Sequence, residues 1–204
     1  MSISGYSDRL THALAFAAKH HDGEARKGTR APYFIQPASV ALILTRYGCG
    51  EHVITAAILA RVVEDWVLAG YTRALLDERI GGKFGSEIPA LLLTVTRRRH
   101  DDTGAPLSSD EQHRDLLVRL AAAPDDARWI LAADRLHEAS TILADLRRTQ
   151  FPEGVWSRVP GRKAGLLERH ERTMTALTAA QFTAPILAEW RAALGALRDY
   201  ADAD

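Results

Sequence analysis

Residues 51–69 have the sequence EHVITAAILARVVEDWVLA, which predicts a long helix that ends at Gly70. The chain on both sides of this segment repeats the helical spacing of apolar residues. Alternating β-branched runs, which would indicate strands, do not occur in the sequence. The pattern predicts an all-α fold, a single helical bundle of about eight to ten helices. Further helices are predicted over residues 8–21, 37–47, 72–80, 86–99, 109–122, 125–148, 161–178 and 184–201.

The length and composition of the chain fit one globular domain. It has 204 residues, of which 47% are hydrophobic and 25% charged. We therefore expect residues 1–204 to form one domain, with residues 179–204 as a C-terminal helix that completes the bundle. Lys and Arg together number 26, as do Asp and Glu, so overall charge favours neither nucleic acid nor a membrane as partner. Any site for an anion must be a local cluster.

Signals for export are not apparent in the sequence. The first residues have neither a basic region nor an apolar run, and no stretch approaches the roughly 20 apolar residues of a spanning helix. The single cysteine, Cys49, excludes an intrachain disulfide framework and a multi-cysteine zinc site. These features predict a cytoplasmic protein.

A series of short motifs follows the chain in a fixed order. They are KHHDGEARKG (19–28), APYFIQP (31–37), LARVVEDW (59–66), KFG (83–85), LTVT (93–96), AADRLHE (132–138) and VWSR (155–158). Together they resemble the RelA/SpoT-type HD-domain alarmone hydrolases, in their small single-domain form, over about residues 8–178. The resemblance implies an all-helical HD-like domain, a divalent metal that is usually manganese, and removal of the 3′-pyrophosphate from guanosine tetra- or pentaphosphate.

The resemblance also implies where the four metal ligands of the family fall, namely Gln36, Ala60, Arg61 and Asp134. Of these, only Asp134 is a residue that the family uses. A neutral amide binds divalent metals poorly, Ala60 has no donor atom, and the Arg61 guanidinium has no lone pair to give. We therefore expect no metal and no other cofactor at this place, and manganese only if the alignment of the motifs is wrong.

Arg61 is the residue that we expect to replace the charge of the metal. Glu64 and Asp65 follow it at i+3 and i+4, so the three side chains share one face of the helix. If the family fold is kept, Asp134 points to the same place from another helix, and Arg61 is a fixed cation among carboxylates. The alternative is a solvated arginine on an exposed helix surface.

Four residues are candidates for catalysis: Arg61, Glu64, Asp65 and Asp134. In the family, the Glu-Asp pair is taken to position or activate the attacking water. Without a metal, one of the carboxylates would act as the base while Arg61 holds an anionic substrate. The alternative is that the acidic pair serves only to balance Arg61.

The candidate ligand-binding residues are Arg26, Lys27, Tyr33, Gln36 and Arg135. In the family, the Arg-Lys segment lies in the nucleotide pocket, whereas a basic loop taken by itself is usually only solvated. Glu138 stands where the family has Asn and adds a negative charge near the nucleoside.

Two further clusters carry expectations. Residues 97–99 are three arginines, which we expect to begin a solvated loop, with local anion binding as the alternative. His20 and His21 are not expected to form a joint metal site, because adjacent side chains diverge on a helix.

Three functions remain open. The first is an HD-domain homologue that has lost its metal and binds a nucleotide or another anionic metabolite in the former hydrolase cleft. The second is a metal-free enzyme that uses the acidic residues and Arg61 on an anionic substrate. The third is a guanosine-3′,5′-bis(diphosphate) 3′-diphosphatase. In each case we expect the partner to be an anionic small molecule, and neither nucleic acid nor a membrane. A homodimer is also possible, with the apolar helix predicted over residues 184–201 at its interface.

Overall fold

The structure is a computed structural model that describes residues 6–26, 29–101 and 103–200, and this part of the chain is all-α, as predicted. The structure also contains a π-helical turn over Asp77–Gly81. Within the described residues, β pairing is limited to two isolated bridges, Ala25 with Pro32 and His100 with Pro106. The helices are α1 (Asp8–His20), α2 (Ile35–Arg46), α3 (Glu51–Leu68), α4 (Arg73–Leu76), α5 (Gly82–Phe84), α6 (Ile88–Val95), α7 (Ser109–Ala121), α8 (Asp125–Arg148), α9 (Pro152–Trp156), α10 (Arg162–Ala179) and α11 (Ile186–Asp199).

Helices α3 and α8 form the centre of the bundle. Helix α3 packs against α1, α2, α6 and α8, while α8 also packs against α2, α6 and α11. A helix with neighbours on several sides needs apolar residues around most of its circumference. Leu59 and Val62 on α3, and Ala132 and Leu136 on α8, are accordingly buried.

Some helix starts follow local capping signals. The Ser7 hydroxyl accepts a hydrogen bond from the Leu10 amide at the start of α1. At the start of α7, Ser108 and Glu111 form a reciprocal capping box. Helix α6 has no side-chain cap, and it begins at Ile88 rather than at the predicted residue 86. The neighbouring Glu87 carboxylate is instead bound to Arg9.

Three predicted helices or loops differ from the structure. The helix predicted to close at Gly81 continues through the π-helical turn to Phe84, whose ring is buried, and Gly85 then ends it with φ 117°. The helix predicted over residues 86–99 ends at Val95, because the chain turns extended at Thr96. The segment predicted as irregular, 149–160, contains α9, which buries Val155 and Trp156.

The C-terminal helix α11 lies along α8 and also contacts α10. Trp190, Leu194 and Leu197 provide its buried face. In the described part of the chain, every helix is too short or too polar to span a bilayer.

Candidate functional site

The predicted site residues meet where α2, α3 and α8 come together. Arg61 on α3 places Nη1 2.5 Å from Glu64 Oε2 and Nη2 3.7 Å from Asp134 Oδ1 on α8. Gln36, in the first turn of α2, donates from Nε2 to the same Asp134 oxygen at 2.9 Å. The side chains of Arg61, Glu64 and Asp134 are 25%, 21% and 20% exposed, so this cluster is largely shielded from water without being sealed.

The charges in this cluster stabilise one another. Burial alone would lower the pKa of Arg61, but the carboxylates of Asp134 and Glu64 outweigh it and hold that pKa above the usual value. Burial would likewise raise the pKa of Asp134, and Arg61 and Arg135 reverse the effect and lower it. The cluster therefore consists of a fixed guanidinium between ionised carboxylates.

Asp65 does not join this cluster, contrary to the expectation from its i+4 spacing. Its Oδ2 lies 3.1 Å from Nε2 of His20, at the end of α1. Arg61 turns its guanidinium towards Glu64 and Asp134, and one further step along α3 rotates Asp65 by about 100° towards α1. The four candidate catalytic residues are thus divided between two neighbouring places.

A second charged group begins beside Asp134 on α8. The Arg135 guanidinium is paired with Glu138, and Glu138 Oε2 lies 3.2 Å from Nε2 of His170 on α10. His170 is fully buried, and its Nδ1 accepts a hydrogen bond from Nε1 of Trp190 on α11 at 2.8 Å. The sequence suggested that Glu138 adds a free negative charge near a ligand. In the structure this carboxylate is instead paired with Arg135 and lies beside His170. The i, i+3 spacing of Arg135 and Glu138 was a visible signal for their pairing, whereas the contact with His170 had none.

A cavity of about 500 Å³ opens beside both groups. Of the predicted ligand-binding residues, Arg26, Tyr33, Gln36 and Arg135 line it, while Lys27 lies outside the described residues. Its other charged or titratable lining residues are Arg61, Arg97, Asp134, His137, Glu138, Asp145, Arg148 and Arg158.

Arg26 and Tyr33 occupy different parts of this wall. Arg26 Nη2 lies 3.0 Å from Asp145 Oδ2, so the basic loop is tied to α8. Burial raises the pKa of Tyr33. The positive charge of Arg61 lowers this pKa, and the negative charge of Glu64 raises it. Both residues are therefore held by the fold, in contrast to the solvated loop that was the alternative.

Arg97 is an exposed residue of the cavity wall. Within the described part of the chain it makes no hydrogen bond or ion pair, although it lines the cavity together with Arg61 and Arg135. Desolvation by the cavity wall and the positive charges of Arg135 and Arg61 lower its pKa, and the carboxylates of Glu64 and Asp134 oppose this shift. Its neighbour Arg98 is instead paired with Asp115 at 2.6 Å. Arg97 and Arg99 are exposed, as expected for a solvated loop, and Arg97 also contributes a cation to the cavity wall.

The donor atoms at the four positions implied for a metal fit a divalent cation poorly. They amount to one carboxylate from Asp134 and one amide from Gln36, which already donates its N–H to that carboxylate. The Arg61 guanidinium lies 3.7 Å from the carboxylate and would repel a cation. Transition metals in proteins need several imidazole, carboxylate or thiolate donors that converge on one point.

Comparison with known proteins gives a consistent relationship. The HD domain family profile matches residues 13–155. A GTP pyrophosphokinase of Myxococcus xanthus is 31% identical over 138 residues, which are 66% of this chain and 17% of that protein. A guanosine-3′,5′-bis(diphosphate) 3′-pyrophosphohydrolase of Aquifex aeolicus (strain VF5) is 30% identical over 139 residues, 67% of this chain and 18% of that protein. The similarity therefore covers less than a fifth of the length of these curated relatives.

Solved structures share the fold at lower sequence identity. A metazoan SpoT orthologue described as hydrolysing ppGpp superposes with a TM-score of 0.65 and 23% identity, over 95% of this chain and 96% of that one. A protein of Listeria monocytogenes EGD-e superposes with a TM-score of 0.62 and 21% identity, over 78% and 96% of the two chains. At these identities the likeness concerns the arrangement of helices.

Proposed function

The chain belongs to the HD-domain family, in the company of RelA/SpoT-type relatives, and we propose that it binds an anionic, phosphate-bearing metabolite such as a nucleotide in its central cavity. In this proposal no metal ion occupies the family position, and Arg61 supplies the positive charge there.

The balance of charge around the cavity supports an anionic ligand. Six arginines line it, against the three carboxylates of Asp134, Glu138 and Asp145. Each of these carboxylates faces an arginine of the cavity, and the formal charge of the lining residues is positive. Guanidinium groups bind phosphate oxygens through paired hydrogen bonds, and a volume of about 500 Å³ is that of an ordinary small-molecule site.

The single observation that carries the proposal is Arg97, which lines the cavity and makes no hydrogen bond or ion pair within the described part of the chain. Its pKa is lowered overall by desolvation and by Arg135 and Arg61, and the carboxylates of Glu64 and Asp134 offset this effect only in part. A bound anion would relieve the repulsion among Arg97, Arg135 and Arg61. The curated relatives have names that refer to guanine nucleotides carrying diphosphate groups, which belong to this chemical class.

Binding is favoured over metal-free catalysis by the state of the carboxylates in the cavity. The pKa values of Asp134 and Glu138 are both lowered: burial opposes the shift, but Arg61 and Arg135 outweigh it at Asp134, and Arg135 and His170 at Glu138. A carboxylate with a lowered pKa is a weaker base, and a general base works best with a pKa near the working pH. We therefore place these two residues in ligand positioning rather than in proton transfer.

The test is calorimetric titration with inorganic pyrophosphate and with GDP, in a buffer that contains EDTA. We expect Arg97→Gln to weaken the affinity by about tenfold to 100-fold, because a hydrogen bond to a charged group contributes about 1.5–3 kcal/mol. Raising the ionic strength should weaken binding to the wild-type protein more than to the variant, because the variant has one cation fewer.

Arg191→Gln is the matched control, because Arg191 is an exposed arginine on α11 that does not line the cavity. Its affinities for both probes should equal those of the wild-type protein. Absence of binding to the wild-type protein, or equal losses in the two variants, would contradict the proposal.

A further inference from the structure

The C-terminal end of α1 meets α3 beside the cavity and brings together two histidines and one aspartate. His20, His21 and Asp65 each offer a ligand atom, and these atoms all lie within 4.8 Å of one another. The expectation that the adjacent histidines diverge is wrong, because their rings lie edge to face with centroids 4.8 Å apart. His20 is the last residue of α1 and His21 is already its C-cap, so helical geometry no longer separates the two side chains.

We propose that His20, His21 and Asp65 form a binding site for a divalent transition-metal ion of the Zn²⁺ type. These residues are distinct from the positions 36, 60, 61 and 134 at which the family implies a metal. Two imidazoles and a carboxylate are the ligands that Zn²⁺ and its neighbours in the periodic table prefer, whereas Mg²⁺ and Ca²⁺ prefer oxygen alone.

The state of the His21 ring is the independent observation that points to a ligand. Its side chain is 0% exposed, and within the described part of the chain no hydrogen-bond partner reaches Nε2. A buried polar atom without a partner is costly and needs a reason. A metal ion at Nε2 would supply the missing interaction.

Glu24 holds the His21 ring in an orientation suited to metal binding. Its Oε2 lies 3.0 Å from His21 Nδ1. A carboxylate at this distance accepts the Nδ1–H and leaves the lone pair of the ring on Nε2. The same arrangement, with a carboxylate behind the histidine, orients the metal-ligating histidines of known sites. Glu24 is therefore a positioning residue in the proposal, whereas His21 is a ligand.

His20 and Asp65 complete the group from the more open side. His20 Nε2 lies 3.1 Å from Asp65 Oδ2, and Asp65 is half exposed. Tetrahedral bonds of 2.0–2.2 Å separate ligand atoms by about 3.4 Å, so side-chain movements of about 1 Å would close the group around an ion. Three protein ligands leave the fourth position of a tetrahedral ion to water or to a small ligand.

The test is titration of the tag-free wild-type protein with Zn²⁺ by calorimetry, and with Co²⁺ by visible absorption. We expect one equivalent of each ion to bind, with the Co²⁺ spectrum of a four-coordinate site that contains nitrogen. His20→Ala and Asp65→Asn should each weaken Zn²⁺ binding at least 100-fold. Glu24→Gln should weaken it by about tenfold to 100-fold, as is typical when a supporting carboxylate behind a ligand is lost.

His52→Ala is the matched control, because His52 also pairs with a carboxylate, that of Asp126, at 2.8 Å. In the described part of the chain this pair does not belong to any three-residue group of metal ligands. The control should bind Zn²⁺ as the wild-type protein does, and Zn²⁺ should raise Tm in both of these proteins but not in His20→Ala. Circular dichroism of each variant checks that the helices are retained.

Failure to bind either ion, or an affinity that neither His20→Ala nor Asp65→Asn changes, would overturn the proposal. The outcome is independent of the proposed function, because pyrophosphate and GDP binding is measured with EDTA present and depends on Arg97.

Discussion

Arg61 organises the charged cluster between α3 and α8. Its guanidinium contacts Glu64 and lies near Asp134, and its pKa is held high by these carboxylates in spite of burial. The i, i+3 spacing and the alignment of the motifs were sufficient to predict this cluster. The position of Asp65 was not predictable, because it depends on His20 at the end of a different helix.

Replacing the Arg61 charge should destabilise the protein. In Arg61→Met the side chain keeps most of its length, but Glu64 and Asp134 lose their shared cation. We expect the free energy of unfolding in urea to fall by about 1.5–3 kcal/mol, the usual contribution of hydrogen bonds to charged groups in partly shielded places. Arg191→Met, on the exposed face of α11, should change it by less than about 0.5 kcal/mol. Equal values for the two variants would mean that Arg61 is only a solvated surface residue.

At the scale of elements, the predicted helix bounds were best where the sequence carries signals at both ends. Helix α8 matched its prediction over residues 125–148, because Pro124 precedes it and acidic and basic residues occupy its first and last turns. The segment from α4 to α5 was predicted less well. There the burial of Phe84 outweighs the two glycines that normally end a helix. Helix α9 is one short turn. We attribute its formation to the burial of Trp156 rather than to a local sequence signal.

The contact that links α8, α10 and α11 should make stability depend on pH. The pKa of Glu138 lies well below its usual 4.5: burial opposes this, but Arg135 and His170 favour the ionised form. The folded protein therefore keeps Glu138 ionised at a pH where the unfolded chain binds a proton. This stabilisation is complete above about pH 4.5 and is lost as the pH falls below that value.

Urea unfolding of Glu138→Gln at pH 7, 5 and 3 measures this contribution. We expect the variant to be less stable than the wild-type protein at pH 7, with a difference that shrinks at pH 3. Glu78→Gln, an exposed residue of the π-helical turn, serves as the control and should show no such trend. A constant difference across the three pH values would exclude ionisation of Glu138 as its source.

For the whole molecule, the fold class was predictable because helical spacing recurs along the chain, and the meeting point of α2, α3 and α8 followed from the family resemblance. The place of Arg97 in the cavity wall and the contact between Glu138 and His170 could not be predicted. Both depend on how a loop or a distant helix is placed in three dimensions, and apolar spacing in the sequence does not record that.

The retained architecture makes a specific prediction about metal binding. The triple variant Gln36→His, Ala60→His and Arg61→Asp, which keeps Asp134, should bind one equivalent of Mn²⁺. It then presents two imidazoles and two carboxylates at one place, and it no longer has the opposing cation. Electron paramagnetic resonance of Mn²⁺ titrations, carried out in a His20→Ala background, measures this site without a contribution from the end of α1.

The single variant Arg61→Asp in the same background is the control. It brings a carboxylate to Asp134 without any imidazole, so it should bind Mn²⁺ far more weakly than the triple variant. If the triple variant folds and binds no Mn²⁺, the assignment of these four positions is wrong.

The ion pairs of Arg61 also constrain the order in which the residues of this site can be substituted. A change of this residue to aspartate, taken alone, would place a third negative charge beside Glu64 and Asp134 before any imidazole is present to bind a metal. A substitution of Arg61 that precedes imidazoles at positions 36 and 60 therefore passes through a less stable protein. The order of substitutions is thereby constrained: the imidazoles at positions 36 and 60 would have to come before the aspartate at position 61.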